Sequence, residues 1–304
     1  MIYKTRTESP ELRLLRSLKN RYPSPTTNQT YHNLNKGYIG EVLFDKLIEK
    51  LTCPCLVLND LLFKVNNQIF QVDALMILSN QIHVFEVKNL EGDYFYEKEC
   101  FFPRNKPGNE ISNPLLQLER TTSLIRQLLQ KLEFPISIQS SVIFINPKFV
   151  LYKAPMDKPI LFANQLDRFM QKFNSVQSPL GKKHQQLAAK LLSLNENENP
   201  YKRLPSYQYQ DLRKGISCSV CHSFSVEVHH SKCICICSDC GFEEKVKAAV
   251  LRSVEEFKLL FPGEKVTTNR IFEWCKIIAP KRKIQRILEK NYTKVGVHQW
   301  MYYE

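Results

Sequence analysis

No run of about 18 apolar residues occurs in the chain, so no segment is expected to span a bilayer as a helix. Met1 to Asn20 is charged and lacks the apolar stretch of a secretory signal, so it is expected to be neither leader nor anchor. Internal repeats are absent. Acidic residues are in short supply: 30 Asp and Glu stand against 43 Lys and Arg, a net charge of +13. Such a surplus points to a polyanionic partner, and nucleic acid is the usual one. A membrane surface would attract the same charge, but no element is expected to anchor the chain to one. Cysteine is sparse outside one stretch: of ten, only Cys53, Cys55, Cys100 and Cys275 lie outside residues 218–240. Without an export signal, so dense a cluster is expected to ligate metal rather than to form disulfides, and the cytoplasm is the expected compartment.

With 304 residues, 43% of them hydrophobic and 24% charged, the chain has the profile of a globular protein. At ~100–200 residues per domain it has room for about two. Residues 1–35 are polar, with a short helix at Leu12, Leu14, Leu15 and Leu18 that Tyr22-Pro-Ser-Pro breaks. From Lys36 to Leu51 the positions Ile39, Leu43, Phe44, Leu47, Ile48 and Leu51 keep helical spacing. Three strands follow at Leu56–Phe63, Ile69–Leu78 and Ile82–Val87, with Asn66-Asn67 and Ser79-Asn80 as turns. Val84, Phe85 and Val87 make the third apolar on both faces, as in a central strand. Residues 92–112 read as loop. Asn113-Pro114 caps a second helix, and Ser141–Ile145 is a further strand. Hairpins followed by a helical crossover imply an α/β fold, a mixed sheet with helices on its faces. Residues 151–210 form a helical extension that ends in a linker near Asn195–Pro200.

The sharpest chemical signal is Asp73 followed by Glu86-Val87-Lys88. Glu86 and Lys88 are two apart on one strand and share a face. The hairpin can set Asp73 beside Glu86. Two carboxylates converging at the end of an apolar strand pair repel each other unless a cation lies between them, and Mg²⁺ or Mn²⁺ prefers such oxygen ligands. Lys88 is then poised next to a metal-bound water. A lone E-x-K is usually a surface ion pair, but the strand neighbours of Glu86 are apolar, which disfavours a solvated face.

Together with Lys36-Gly37-x-x-Gly40-Glu41 at the helix start, Val72-Asp73, Phe85-Glu86-Val87-Lys88-Asn89 and Asn113-Pro114-x-x-Gln117, the arrangement resembles the PD-(D/E)XK nuclease superfamily. Within it, residues 36–150 resemble the nuclease-related domain family, NERD. The proline that precedes the aspartate in that superfamily is replaced by Val72. The resemblance implies a restriction-endonuclease-like sheet. It also implies Mg²⁺ (or Mn²⁺) on Asp73 and Glu86, Glu41 completing the site, Lys88 orienting or activating water, and Gln117 as the polar residue of the following helix. Other residues have plainer readings: His83 as an edge-strand residue, Cys53 and Cys55 as buried or incidental, and Tyr94-Phe95-Tyr96 as strand packing.

Cys218-x-x-Cys221 and Cys237-x-x-Cys240 are separated by fifteen residues. Two such knuckles offer four thiolates in a tetrahedron, the geometry of structural Zn²⁺, and Gly241 supplies permissive backbone for the second. This pattern resembles a zinc ribbon over residues 211–242. Cys233, Cys235, His222, His229 and His230 remain alternative ligands. Four thiolates leave no open position, so the zinc is expected to be structural.

Residues 243–304 follow as a helix over Glu243–Phe261, a short helix capped at Thr267 or Thr268, and a helix over Lys281–Asn291. A hairpin or wing over Tyr292 to Tyr303 is expected at the end. The last helix carries Lys281, Arg282, Lys283, Arg286 and Lys290, and two short helices across a tight turn look like a helix-turn-helix. Two functions compete. One is a metal-dependent nuclease cutting DNA, with RNA as substrate left open. The other is a non-catalytic DNA-binding or regulatory protein whose nuclease-like domain is inactive. The presence of Asp73, Glu86 and Lys88 together favours the enzyme.

Overall fold

The structure is a computed structural model describing residues 1–175, 178–196, 205–229 and 231–304. His230 and the later part of the expected linker lie outside the described residues. The chain divides into two compact units. The first comprises residues 1–8 and 33–202, the second residues 9–32 and 203–304. The polar N-terminal segment is therefore shared between them rather than standing alone.

In chain order the first elements are β1 (Ile2–Lys4), α1 (Pro10–Arg21) and α2 (Pro25–Ile48). The expected break at Tyr22-Pro-Ser-Pro ends α1, with Tyr22 as its C-cap, and also starts a new helix: Ser24 Oγ accepts the Thr27 N–H at 3.1 Å, and Pro25 opens the first turn, where a missing N–H costs nothing. Helix α2 therefore begins eleven residues before Lys36. Strands β2 (Leu56–Val65), β3 (Gln68–Ile77) and β4 (Gln81–Lys88) form an antiparallel meander. Asn66 and Asn67, both with positive φ, make the first turn. Next come β5 (Gly92–Glu97), β6 (Cys100–Pro103), α3 (Pro114–Lys131), β7 (Ser137–Phe144), β8 (Phe149–Tyr152), β9 (Ile160–Phe162), α4 (Leu166–Asn174) and α5 (Lys182–Ser193).

The main sheet has the order β1-β2-β3-β4-β7-β9. Strands β1, β7 and β9 pair in parallel with their neighbours, so the sheet is mixed. One apolar face meets α3 and α5 through Leu115, Leu118, Leu128, Leu187 and Leu191. The other meets α2 and α4 through Phe44, Ile48, Leu166, Met170 and Phe173. Residues 92–112 are not all loop. Strands β5 and β6 join β8 in a second, three-stranded sheet, because Tyr94, Tyr96 and Phe101 find an apolar partner in the core beneath. The start of the linker is also ordered: Asn195 Oδ1 accepts the Leu62 N–H at 2.9 Å, and the Glu196 N–H donates to the Leu62 carbonyl at 2.8 Å.

The second unit holds β10 (Val226–His229), β11 (Ile234–Cys237) and β12 (Glu243–Lys245) as an antiparallel sheet, then α6 (Val246–Leu260), α7 (Thr268–Cys275) and α8 (Lys281–Asn291). Residues Glu243 to Lys245 are strand rather than helix, paired to β11. Thr267 is the cap of α7, accepting the Arg270 N–H at 3.2 Å. A short hairpin, β13 (Lys294–Val295) with β14 (Tyr302–Tyr303), follows α8. The ribbon and the helices share one core: Cys235 and Val226 cluster with Val250, Phe257, Trp274 and Leu288, and Leu14 and Leu18 of α1 join them. Arg21 is buried there. It bonds Glu256 at 2.6 and 2.9 Å, and its guanidinium lies 3.9 Å from the Trp274 ring centroid.

Candidate active site and metal centre

The ladder between β3 and β4 pairs Ala74 with Phe85 and goes no further. Beyond that point Asp73 Oδ2 takes the Val87 N–H at 2.7 Å, filling with a side chain the place a backbone carbonyl would otherwise hold. Strand β4 continues through Glu86 and Lys88 against β7 alone. Glu86 alternates with Ile82 and Val84, which place it on the α3 face. Asp73 is 8% exposed and Glu86 2%, levels that carboxylates rarely reach unless paired.

Lys88 Nζ meets Glu86 Oε1 at 2.7 Å and donates to Gln117 Oε1, from α3, at 3.0 Å. Gln117 reaches the site because Asn113 caps α3, its Oδ1 accepting the Leu115 N–H, and Pro114 occupies the first turn. Glu41 comes from α2. There Gly40 permits a close approach: a Cβ at that position would lie 2.5 Å from Asn89 Cβ and 3.2 Å from Ile145 Cγ2. The Gly-x-x-Gly-Glu motif thus has a packing reason at its second glycine, which lets α2 lie against the end of β4. Lys88 is bonded to both Glu86 and Gln117, Asp73 meets the same strand through the Val87 N–H, and the Glu41 carboxylate feels the Asp73 charge.

A sixth residue, which no sequence motif marks, completes that network. The side chain of Arg6, 3% exposed, bonds Glu41 at 2.5 Å, Asp45 at 2.9 and 3.2 Å, and the Asp73 backbone carbonyl at 2.6 Å. It ties α2 to β3 at the point where the site forms. A lone arginine in a polar segment carries no periodicity, so sequence reasoning passes over it.

The electrostatics match this crowding. Burial, then the neighbouring Asp73 charge, pushes Glu86 up to about 8 against the pull of Lys88. Burial and Asp73 likewise raise Glu41 to about 7, with Arg6 opposing. Asp73 is also raised, chiefly by burial. These are carboxyls short of positive charge, a donor set that suits a hard divalent cation. Among the described residues they are not gathered into a ready-made three-ligand cluster; only the cysteines are.

His83 is not at an edge. It lies in β4 between Met76 of β3 and Gln139 of β7, is 6% exposed, and stacks on Phe85 at 4.4 Å between centroids. Its Nε2 is 3.1 Å from Ser141 Oγ, and burial lowers it to about 4. Cys53 and Cys55 are buried in the α2-side core. In the aromatic run, Tyr94 and Tyr96 pack on the core while Phe95 stacks on Phe102 across the strands.

In the second unit the sulfur atoms of Cys218, Cys221, Cys237 and Cys240 all lie within 4.8 Å of one another. Cys218 and Cys240 are 3.6 Å apart, Cys221 and Cys237 3.5 Å. A tetrahedron with Zn–S of ~2.3 Å has sulfurs ~3.8 Å apart, so the donor set fits zinc. The two knuckles are alike: Cys218 and Cys237 carbonyls accept from His222 and Gly241 N–H, and those residues have φ of 62° and 72°. A left-handed residue is thus needed after each pair, met once by glycine and once by histidine. Cys235 is buried in the ribbon core and Cys233 contacts Lys283 Nζ at 3.8 Å; neither belongs to the four.

On α8, Ile284 and Leu288 are buried, whereas Lys281, Arg282, Arg286 and Lys290 are exposed. Lys283 is half-buried. No helix among the described residues is long and apolar enough to cross a membrane.

A comparison with known proteins matches part of the first unit. Residues 36–145 match the family model described as nuclease-related domain. The match suggests a nuclease-related domain in that part of the chain and nucleic acid as partner. Among solved structures, one similar to this chain is the crystal structure of protein VC1899 from Vibrio cholerae. It is 8% identical, with a TM-score of 0.24, and the match covers 51% of this chain and 37% of that one. No curated protein matches the chain.

Proposed function

We propose that this protein is a metal-dependent nuclease that hydrolyses phosphodiester bonds in DNA, built on a restriction-endonuclease-like sheet. The observation that carries the reading is the burial of Asp73 and Glu86 at the point where β3 and β4 part. Lys88 and Gln117 stand beside them in the segment that matches the nuclease-related domain. Asp73 and Glu86 are the residues to hold Mg²⁺ or Mn²⁺, with Glu41 as the third carboxylate. Such an ion would lower the pKa of a bound water and neutralise charge on the phosphate. Lys88, steadied by Gln117, orients the attacking water and faces the scissile phosphate. In the second unit a structural zinc on Cys218, Cys221, Cys237 and Cys240 supports a DNA-binding segment of helix-turn-helix type. Helix α8 grips phosphates through Lys281, Arg282, Arg286 and Lys290, with Lys283 at the margin.

A non-catalytic nucleic-acid binder is the second reading, and the Lys88–Glu86 ion pair favours it, because Glu86 already has a cation. Cleavage assays on linear, circular and single-stranded DNA and on RNA, with and without Mg²⁺, separate the two. The nuclease reading expects metal-dependent cutting that falls by about three orders of magnitude in Asp73→Ala and Glu86→Ala, roughly 4 kcal/mol of barrier, with DNA affinity kept. Unchanged cutting in either variant removes the site. Binding without cutting in the wild type establishes the second reading.

A further inference from the structure

Arg6 is an ion that the first unit buries, and burying a charge costs several kcal/mol unless it is paired. Its partners are specific. Glu41 and Asp45 stand one turn apart on α2, the spacing that puts two side chains on one helix face, and both are bound by the same guanidinium. A third bond goes to the backbone of Asp73 itself. The rigid fork of arginine can hold several oxygens in fixed directions, as a point charge cannot.

The charges can be counted. With a cation bound to keep them ionised, Glu41, Asp45, Asp73 and Glu86 would carry four negative charges, against two positive ones on Arg6 and Lys88. The difference, four minus two, is the charge of one divalent cation. The next acid outward, Asp60, brings a charge that the nearby Lys4 ammonium offsets: Lys4 Nζ donates to the Asn59 and Asp60 backbone carbonyls and feels the Asp60 charge, while the Asp60 carboxylate accepts from Gln71 Nε2 at 2.9 Å. Sites that hold two metal ions need further carboxylates for the second. Here Asp45 and the Oε2 atom of Glu41, which would serve, are taken by a side chain of the N-terminal arm, while Glu41 Oε1 remains to face the first ion.

We propose that Arg6 is a built-in second cation of the carboxylate site: its guanidinium holds Glu41 and Asp45 as a second divalent ion otherwise would, so the chain takes one divalent ion. This rests on the reading of Asp73 and Glu86 as metal-holding residues. Arg6 is a positioning residue, acting through Glu41 and the Asp73 backbone.

The test is Mn²⁺ binding to the full-length, zinc-loaded chain, with free Mn²⁺ followed by electron paramagnetic resonance and no nucleic acid present. Wild type and Arg6→Lys, which keeps the charge, should bind one Mn²⁺ per chain, and Arg6→Gln should bind two. Two ions in the wild type, or one in Arg6→Gln, overturns the proposal and leaves Asp73 and Glu86 as metal-holding residues. No ion in the wild type overturns that reading and the proposal with it. If Arg6→Gln, zinc-loaded and free of chelator, loses its fold before Mn²⁺ is added, far-ultraviolet circular dichroism during Mn²⁺ addition becomes the readout. Recovery of ellipticity supports the substitution of metal for guanidinium, and no recovery overturns it.

Discussion

The carboxylate cluster of the first unit and the cysteine cluster of the second are both sets of like-charged ligands, yet they are held in opposite ways. The four sulfurs are already within 4.8 Å of one another. Their positions come from two hairpin knuckles whose backbone N–H groups point inward. The carboxylates are not so gathered. They are spread over a helix and two strands, with protein cations, Arg6 and Lys88, bound among them. The first arrangement suits an ion that never leaves, with four ligands and no open position. The second suits an ion that must leave a side open for water and phosphate. A cluster that closes on itself can be local in sequence, whereas one that stays open needs a scaffold to keep its members from collapsing together or flying apart.

That contrast can be broken from either side. The largest effect should come from Cys221→Ser, or from stripping zinc with a strong chelator. Structural zinc carries about 10–16 kcal/mol of apparent binding free energy, so the ribbon should lose its fold and the second unit its cooperative thermal transition. Mn²⁺ binding by the carboxylates should persist. Loss of Mn²⁺ binding as well would mean that the two clusters are not independent.

His83 offers a sharper test of the scaffold under the carboxylates. Its folded value, about 4, lies below the ordinary 6.5. The unfolded chain therefore binds the proton first, and stability present above pH 6.5 drains away as pH falls towards 4. The loss is on the order of 3 kcal/mol. His83→Phe, measured by urea unfolding across that range, should flatten this part of the profile. An unchanged slope would assign it to other groups.

Gly40→Ala should cost roughly 1–3 kcal/mol, the range for overpacking a filled core, because its Cβ meets Asn89 Cβ at 2.5 Å. If the substitution instead leaves both melting temperature and metal affinity unchanged, α2 need not lie against β4 for the carboxylates to assemble. The smallest effect concerns grip rather than chemistry. Arg286→Ala or Lys290→Ala should lower the slope of log affinity against log salt by about one for each phosphate that is no longer neutralised, with cleavage at saturating enzyme unaltered. A wild-type slope in both would take α8 out of the DNA interface.

Features that lie close together along the chain are legible in it without the fold. The two Cys-x-x-Cys pairs prescribe their own knuckles, and the hairpin prescribes that Asp73 comes near Glu86, since period-two alternation and a two-residue turn leave little choice. Asn113-Pro114 likewise announces α3 and so delivers Gln117. Even here local cues tell only part: Tyr22-Pro-Ser-Pro ends one helix as its sequence suggests but also starts the next, and residues 92–112 show strand character only once a core exists for their aromatic rings.

Other features exist only after packing. Whether His83 sits at an edge or at the centre depends on β7, more than fifty residues away, pairing along β4. Gly40 has a reason only when Asn89 is beside it. Arg6 reaches Asp73 across 67 residues, and no spacing rule connects them. The physical cause is the same in each case. Hydrogen bonds and periodicity act between neighbours and leave a mark in sequence, whereas the balance of buried charge is settled by whatever groups the packed chain brings within reach, and that is known only after the sheet and its helices have closed.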